Sequence, residues 1–171
     1  MSGAPPWTHA ALGLGASLGD RARALRLAVY ALQARPDVHV EAASRVYATS
    51  PVGGVASHGF LNAVIRVRTT LPPLALLQVC KAIEQRLGRR PTRRWADRVL
   101  DIDILLYGDQ VVAEPGLRIP HPRLAERDFF LAALAEAWPD APNPWTRLRW
   151  TDTLRARGAW PVVGTLPVVR E

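Results

Sequence analysis

RRWADRVLDIDILLYG, residues 93–108, reads as a core strand that carries charge where a core strand should have none. From Val99 to Tyr107 the residues are those of a buried strand: Val99, Leu100, Ile102, Ile104, Leu105, Leu106 and Tyr107, interrupted only by Asp101 and Asp103. Side chains alternate along a strand, so both aspartates share a face, their Cα atoms about 6.6 Å apart. Leu100, Ile102 and Ile104 then face the core on the other side. Two ionised carboxylates side by side on an apolar strand repel each other and lose hydration, and a bridging cation relieves both costs. A pair of oxygen ligands that leaves positions for water and phosphate oxygens suits Mg²⁺. A bare D-x-D is common and fits a strand end with two solvated acids equally well; the preceding segment decides. Six of the thirteen residues from Arg86 to Arg98 are arginine, with Trp95 among them and Gly88 and Pro91 breaking the helix. A cationic loop beside an acidic pair is a poor way to stabilise a fold and a good way to hold a polyphosphate–metal complex.

The 171 residues are 49% hydrophobic and 22% charged, which bounds the chain to one globular domain with a substantial core. The net charge is +7, carried by 21 arginines and one lysine, Lys81. Nucleic acid, anionic lipid and an anionic small molecule would each explain that excess. A single cysteine, Cys80, excludes an internal disulfide, and nothing near it suggests zinc. The start, MSGAPPWTHA, has no basic region followed by an apolar run, and no apolar stretch approaches the roughly 20 residues of a membrane span. A cytoplasmic protein with no membrane partner is expected.

Residues 1–8 read as a disordered lead-in, 9–138 as the main domain and 139–171 as an extension packed on it. His9–Gly15 is expected to be a strand, and Asp20 caps a helix running to about Ala34. Val38–Thr49 reads as one long strand, and SPVGGVASHGF (residues 50–60) as a loop long enough to be functional. Leu61–Thr70 alternates as a strand, with Ala63, Ile65 and Val67 inward and Val64, Arg66 and Arg68 outward. Pro72-Pro73 opens a second helix whose stripe is Leu76, Val79, Cys80, Ile83 and Leu87, ended by Gly88. Gly108-Asp109 with Val111-Val112 reads as a hairpin, 114–126 as a proline-punctuated loop and Arg127–Trp138 as a third helix. Trp145, Trp150 and Trp160 are expected to pack the tail onto the body. The order β, α, β, β, α, β, then a hairpin strand and a helix, is an α+β, ferredoxin-like arrangement: an antiparallel sheet with helices on one face.

Four blocks of the chain resemble the 6-hydroxymethyl-7,8-dihydropterin pyrophosphokinase family. They are LGLGASLGD (12–20), YATSPVGG with GFLNAV (47–64), IEQRLGRRPTRRWADRVLDIDILLYG (83–108) and IPHPRLAERDFFLAAL (119–134). The resemblance implies a ferredoxin-like fold and transfer of an intact pyrophosphoryl group from ATP to the hydroxymethyl group of a reduced pterin, releasing AMP. It makes Asp101 and Asp103 ligands of two Mg²⁺ ions and Arg89 and Arg98 phosphate contacts. Glu84, Ile104, Arg118, His121 and Arg127 would serve the nucleotide side, with Ile104 near adenine and Glu84 supporting the site from below. For the pterin it implies Phe60 and Phe129 on the ring faces, Asn62 on the heterocycle's edge, Thr49, Val52 and Gly53 on the contacting loop, and Trp95 closing over the ring. The loops 50–60 and 86–98 would fold in to exclude water, and a monomer is expected. The chain departs from the family pattern at Ala96-Asp97, where Gly-Pro is usual, at Pro91, and at Ala16-Ser17, where Ser-Asn is usual. The competing classes are a small nucleic-acid-binding module and a D-x-D nucleotidyl- or glycosyltransferase. Aromatics at only 7% argue against the first, and 171 residues against the second.

Overall fold

The computed structural model describes residues 6–49, 59–88, 99–153 and 161–168. Along the chain run β1 (Thr8–Ala16), α1 (Arg21–Gln33), β2 (Val38–Ala43), β3 (Val46–Thr49), β4 (Phe60–Thr69) and α2 (Pro73–Arg86). After them come β5 (Asp101–Tyr107), β6 (Val112–Glu114), β7 (Leu117–Ile119), α3 (Asp128–Ala137), α4 (Trp150–Thr153) and β8 (Val162–Gly164). This is an α+β fold around a six-stranded antiparallel sheet ordered β5-β1-β4-β3-β8, in which β2 also pairs with β4.

β1 lies between β5 and β4, and its small residues let helices approach it from both sides. Ala10, Leu12, Leu14 and Ala16 face one way, into a core shared with Leu25, Ala28 and Leu32 of α1 and with Leu76, Cys80 and Ile83 of α2. Ala11 faces the other way, into a second core with Val64, Leu105, Phe130, Leu134 and Trp150. The expectation of helices on one face only is therefore corrected: α3 packs on the opposite face, and Val64, expected outward, is fully buried beneath it. Leu105 and Leu106 both join the second core because β5 shifts register opposite Ala11 and Leu12, a bulge that turns two successive residues to one side.

The expected long strand 38–49 is two strands. β2 shifts register between Val40 and Ala42, and Ser44 then occupies the gap. Its amide donates to Val64 O at 2.8 Å and its hydroxyl accepts from Val64 N at 2.9 Å, so a side chain substitutes for one rung of the ladder. The hairpin also lies elsewhere than expected. β6 pairs with β7 around Pro115-Gly116, with Gly116 at φ +81, so part of the expected 114–126 loop is strand. The lead-in gives way to sheet by Thr8; Arg68 Cζ lies over the Trp7 ring, 5.1 Å from its centroid, and the Trp7 and His39 ring centroids are 4.9 Å apart.

The C-terminal segment adds a strand the periodicity does not reveal. β8 extends the sheet beyond β3, and Leu166 sits in the first core. Trp150 is buried in the second core, whereas Trp145 is 62% exposed and meets Trp150 edge-on; Trp160 lies outside the described residues. Among the described residues no helix is long and apolar enough to cross a membrane.

Candidate active site

The two aspartates stand at the start of β5, the outermost strand on its side of the sheet, both half-buried and both on the face opposite Ile102 and Ile104. The register fixes what lies beside them. Asp101 is opposite Gly15, which is opposite Asn62, which is opposite Tyr47; Asp103 is opposite Gly13, which is opposite Val64. Residues paired across a ladder share a face, so the two acids border a strip of sheet whose floor is glycine backbone.

Different groups use the two glycine positions. A Cβ on Gly13 would stand 2.9 Å from Phe130 Cε1, so the absent side chain is what allows the Phe130 ring to lie on the sheet beside Asp103. A Cβ on Gly15 would stand 3.0 Å from Asn62 Oδ1, so this gap admits the asparagine amide. Asn62 is 6% exposed, and its Nδ2 donates to Thr49 Oγ1 at 2.7 Å, which leaves its carbonyl oxygen on the Gly15 side. Asp101 and Asn62 are separated by one intervening strand, about 9–10 Å at the usual strand spacing.

The pair is supported from α2. Glu84 is 1% exposed, its Oε1 accepts from Ile102 N at 2.7 Å, and its Oε2 is 3.4 Å from Lys81 Nζ. The backbone between the two aspartates is thus tied to a buried, charge-balanced carboxylate. Cys80, one turn earlier on α2, is an inert core thiol: burial, reinforced by the charge of Glu84, pushes its pKa up to about 12.

His121 comes to the site from the segment after β7. Its amide donates to Leu105 O at 2.9 Å, and its Nδ1 accepts from Arg123 N at 3.2 Å, which places the proton of the neutral ring on Nε2. Burial holds its pKa below the ordinary histidine range. The charge of Asp103 opposes that shift and the charge of Arg127 adds to it, so His121 lies within electrostatic reach of both. Arg127 also lies over the Phe130 ring at 5.7 Å. Phe129, half-buried, is tilted 53° to Phe130 with centroids 4.6 Å apart, and Phe60 is half-buried opposite Thr49.

Asp101, Asp103, Asn62, Thr49, Phe60, Glu84, His121, Arg127 and Phe129 therefore gather at one end of the sheet. Ile104 does not join them through its side chain, which is 3% exposed in the first core. Arg118 is exposed on β7. Arg89, Arg98, Val52, Gly53 and Trp95 lie outside the described residues. Sequence reasoning passed over Gly13, Gly15 and Phe130, although glycine at alternate positions of a strand is itself a signal of close approach. It also passed over Arg21, whose Nη1 donates to Gly59 O at 2.6 Å and anchors the residue before Phe60.

The donor set can be tested against a cation. Among the described residues no group of three or more His, Cys, Asp and Glu side chains could hold a metal by itself. Two carboxylates on one face, bordered by bare backbone, fit an ion that takes its remaining ligands from water and phosphate.

Residues 11–139 match the sequence model of the family described as 7,8-dihydro-6-hydroxymethylpterin-pyrophosphokinase (HPPK). Similar proteins include the 2-amino-4-hydroxy-6-hydroxymethyldihydropteridine pyrophosphokinase of Methylorubrum extorquens, 46% identical over 133 residues, covering 78% of this chain and 84% of that protein. The protein of the same name from Bacillus subtilis is 42% identical over 125 residues, covering 73% of this chain and 75% of that protein. Among solved structures, the wild-type Plasmodium falciparum HPPK-DHPS with pteroate superposes with a TM-score of 0.67 at 16% identity, covering 89% of this chain and 42% of that one. The same protein with pterin and p-hydroxybenzoate gives 0.64 at 17%, again covering 89% of this chain and 42% of that one. At such identities the likeness concerns the fold, and the chain spans less than half the length of those structures.

Proposed function

Because the chain belongs to the 7,8-dihydro-6-hydroxymethylpterin-pyrophosphokinase family, and is thus a transferase that pyrophosphorylates hydroxymethyldihydropterin in folate biosynthesis, we propose how its own residues divide that work. The observation that carries the division is the row Asp101–Gly15–Asn62, which joins an acidic end and an amide end across one bare strip of backbone. In our reading the frame is the ferredoxin-like one, with β5-β1-β4 and the β2/β3 pair as its four sheet positions.

Asp101 and Asp103 would hold Mg²⁺, two ions in our reading, with the triphosphate of ATP supplying further oxygens. Bound there, the metal supplies charge neutralisation on either side of the β-phosphorus. Glu84 keeps the backbone between the acids in place through Ile102 N. His121, with its proton on Nε2, presents a neutral donor toward the phosphates, and Arg127 a charged one. Arg89 and Arg98 add guanidinium donors that follow the oxygens as charge moves to the departing AMP, and Arg118 and the Ile104 backbone serve the nucleotide's far end.

At the other end, the planar amide of Asn62 is held by Thr49 and offers its carbonyl to the mixed donor–acceptor edge of the pterin. Phe60 and Phe129 cover the ring faces. Val52, Gly53 and Trp95 belong to the stretches that exclude water, which would otherwise attack the same phosphorus.

Incubating the protein with MgATP and 6-hydroxymethyl-7,8-dihydropterin should give AMP and the pterin diphosphate, identified by mass. Asp101→Asn and Asp103→Asn should each lower kcat by about a hundred- to a thousandfold with the fold retained. ADP as the product would redirect the assignment to a single-phosphoryl kinase, and near-normal turnover in both variants would remove the acidic pair from the site.

A further inference from the structure

The family match ends at residue 139, and beyond it the chain returns to the sheet as β8, against the strand that carries Thr49. We propose that β8 is a positioning element for the pterin end of the site, acting through β3 on the Thr49–Asn62 hydrogen bond. This rests on the reading of Asn62 and Thr49 given above.

β3 has four residues and ends at Thr49, the acceptor for Asn62 Nδ2. So short a strand holds its register only if its neighbours hold it. On one side it pairs with β4 from Tyr47↔Asn62 to Thr49↔Phe60. On the other, Val46 and Tyr47 pair with Gly164 and Val162, and Ala48 N donates to Pro161 O at 2.9 Å. At its start Arg45 is bound by Glu136 of α3, with Arg45 N and Nε at 3.0 and 3.1 Å from Oε1. β8 is itself exposed along its length, so its own side chains do not seat it. The anchor is Leu166, buried in the first core, with Val168 packed against that core.

Unseating that anchor turns β3 into a four-residue edge strand, which frays from its free end. The free end is Thr49. Once its hydroxyl moves, the Asn62 amide loses the partner that sets which of its two ends faces Gly15. The acids are insulated from this, because β5 is held by β1 and by Glu84. The consequence is selective: pterin recognition loosens and nucleotide recognition does not.

The experiment compares full-length Leu166→Asp, Gly164→Pro and Leu166→Met by steady-state kinetics and amide hydrogen exchange. Leu166→Asp removes the anchor. Gly164→Pro removes a backbone amide of β8 without altering the core, and so covers the case in which the first variant does not fold. Either should speed exchange at Ala48 and raise the pterin KM about ten- to a hundredfold, leaving the ATP KM within about twofold. Leu166→Met should behave as wild type, and in a Thr49→Ala background Leu166→Asp should add no further change. Faster exchange at Ala48 with an unchanged pterin KM overturns the proposal, as does an equal rise in both KM values. Asn62→Ala separates this from the underlying site reading. An unchanged pterin KM in Asn62→Ala overturns the pterin assignment, whereas a raised KM there beside a normal one in the β8 variants overturns the role of β8 alone.

Discussion

Gly13 and Gly15 differ by two positions on one strand and should fail in different ways. Neither has a positive φ, so the cost of adding a methyl group lies in what that group meets. At Gly13 it meets the Phe130 ring at 2.9 and 3.1 Å and Leu105 Cδ2 at 3.4 Å, inside a core with no slack. Gly13→Ala should therefore lose about 1–3 kcal/mol of unfolding free energy, read as a lowered urea midpoint at constant slope; a wild-type midpoint would mean that Phe130 retreats at no cost. At Gly15 the methyl group meets the Asn62 carbonyl oxygen instead. Gly15→Ala should leave the midpoint nearly unchanged and raise the pterin KM, and the reverse pattern would contradict the placement of Asn62. Of this residue-scale detail the sequence exposed the acids but not the floor between them. Asp101 and Asp103 stand out because charge is rare in such a strand, whereas the meaning of Gly13 and Gly15 depends on which strands flank them, and that pairing is not local information.

The helices were legible at their ends because capping is local chemistry. Asp20 accepts from Arg23 N at 3.1 Å, Pro73 opens α2, and Gly88 follows it at φ +94. Asp20→Ala should cost about 0.5–2 kcal/mol, measured as a drop in thermal or denaturant stability with kcat unchanged; no loss would mean that the Arg23 amide finds another acceptor. The strands were less legible. Val38–Thr49 alternates well enough to pass for one strand, because Ala42 and Ala43 tolerate either face and hide the shift at which Ser44 enters. Gly108-Asp109 is as good a turn sequence as Pro115-Gly116, and only the partner strand shows that the hairpin forms at the second. Strand β8, three residues of Val-Val-Gly, has no periodicity to read, and its pairing is set by a strand more than a hundred positions away. Phe129 and Phe130 illustrate the same limit: adjacent aromatics at a helix start do not announce which one the sheet will take.

At the scale of the molecule, one sheet separates two cores, with α1 and α2 on one side and α3 on the other, and the site lies at the sheet's end between them. That arrangement gives the chain a built-in reporter. Cys80, the sole cysteine, is fully buried in the first core with its pKa pushed up to about 12, so at pH 8 it is both shielded and protonated. A thiol reagent should leave the native protein unlabelled and react only as fast as the α2 side opens, giving an opening rate without an engineered probe. Rapid, stoichiometric labelling of the native protein would instead place a low-energy opening beneath the acidic pair. Glu84, beside that thiol, has a further consequence. The outermost strand of a sheet offers unsatisfied amides and carbonyls on which foreign strands can stack, but here the Ile102 amide is taken by Glu84 and the Leu105 carbonyl by the His121 amide. The groups that prepare this rim for chemistry thus also occupy part of what a foreign strand would need to stack on it, which lessens the tendency of an exposed catalytic edge to seed polymerisation.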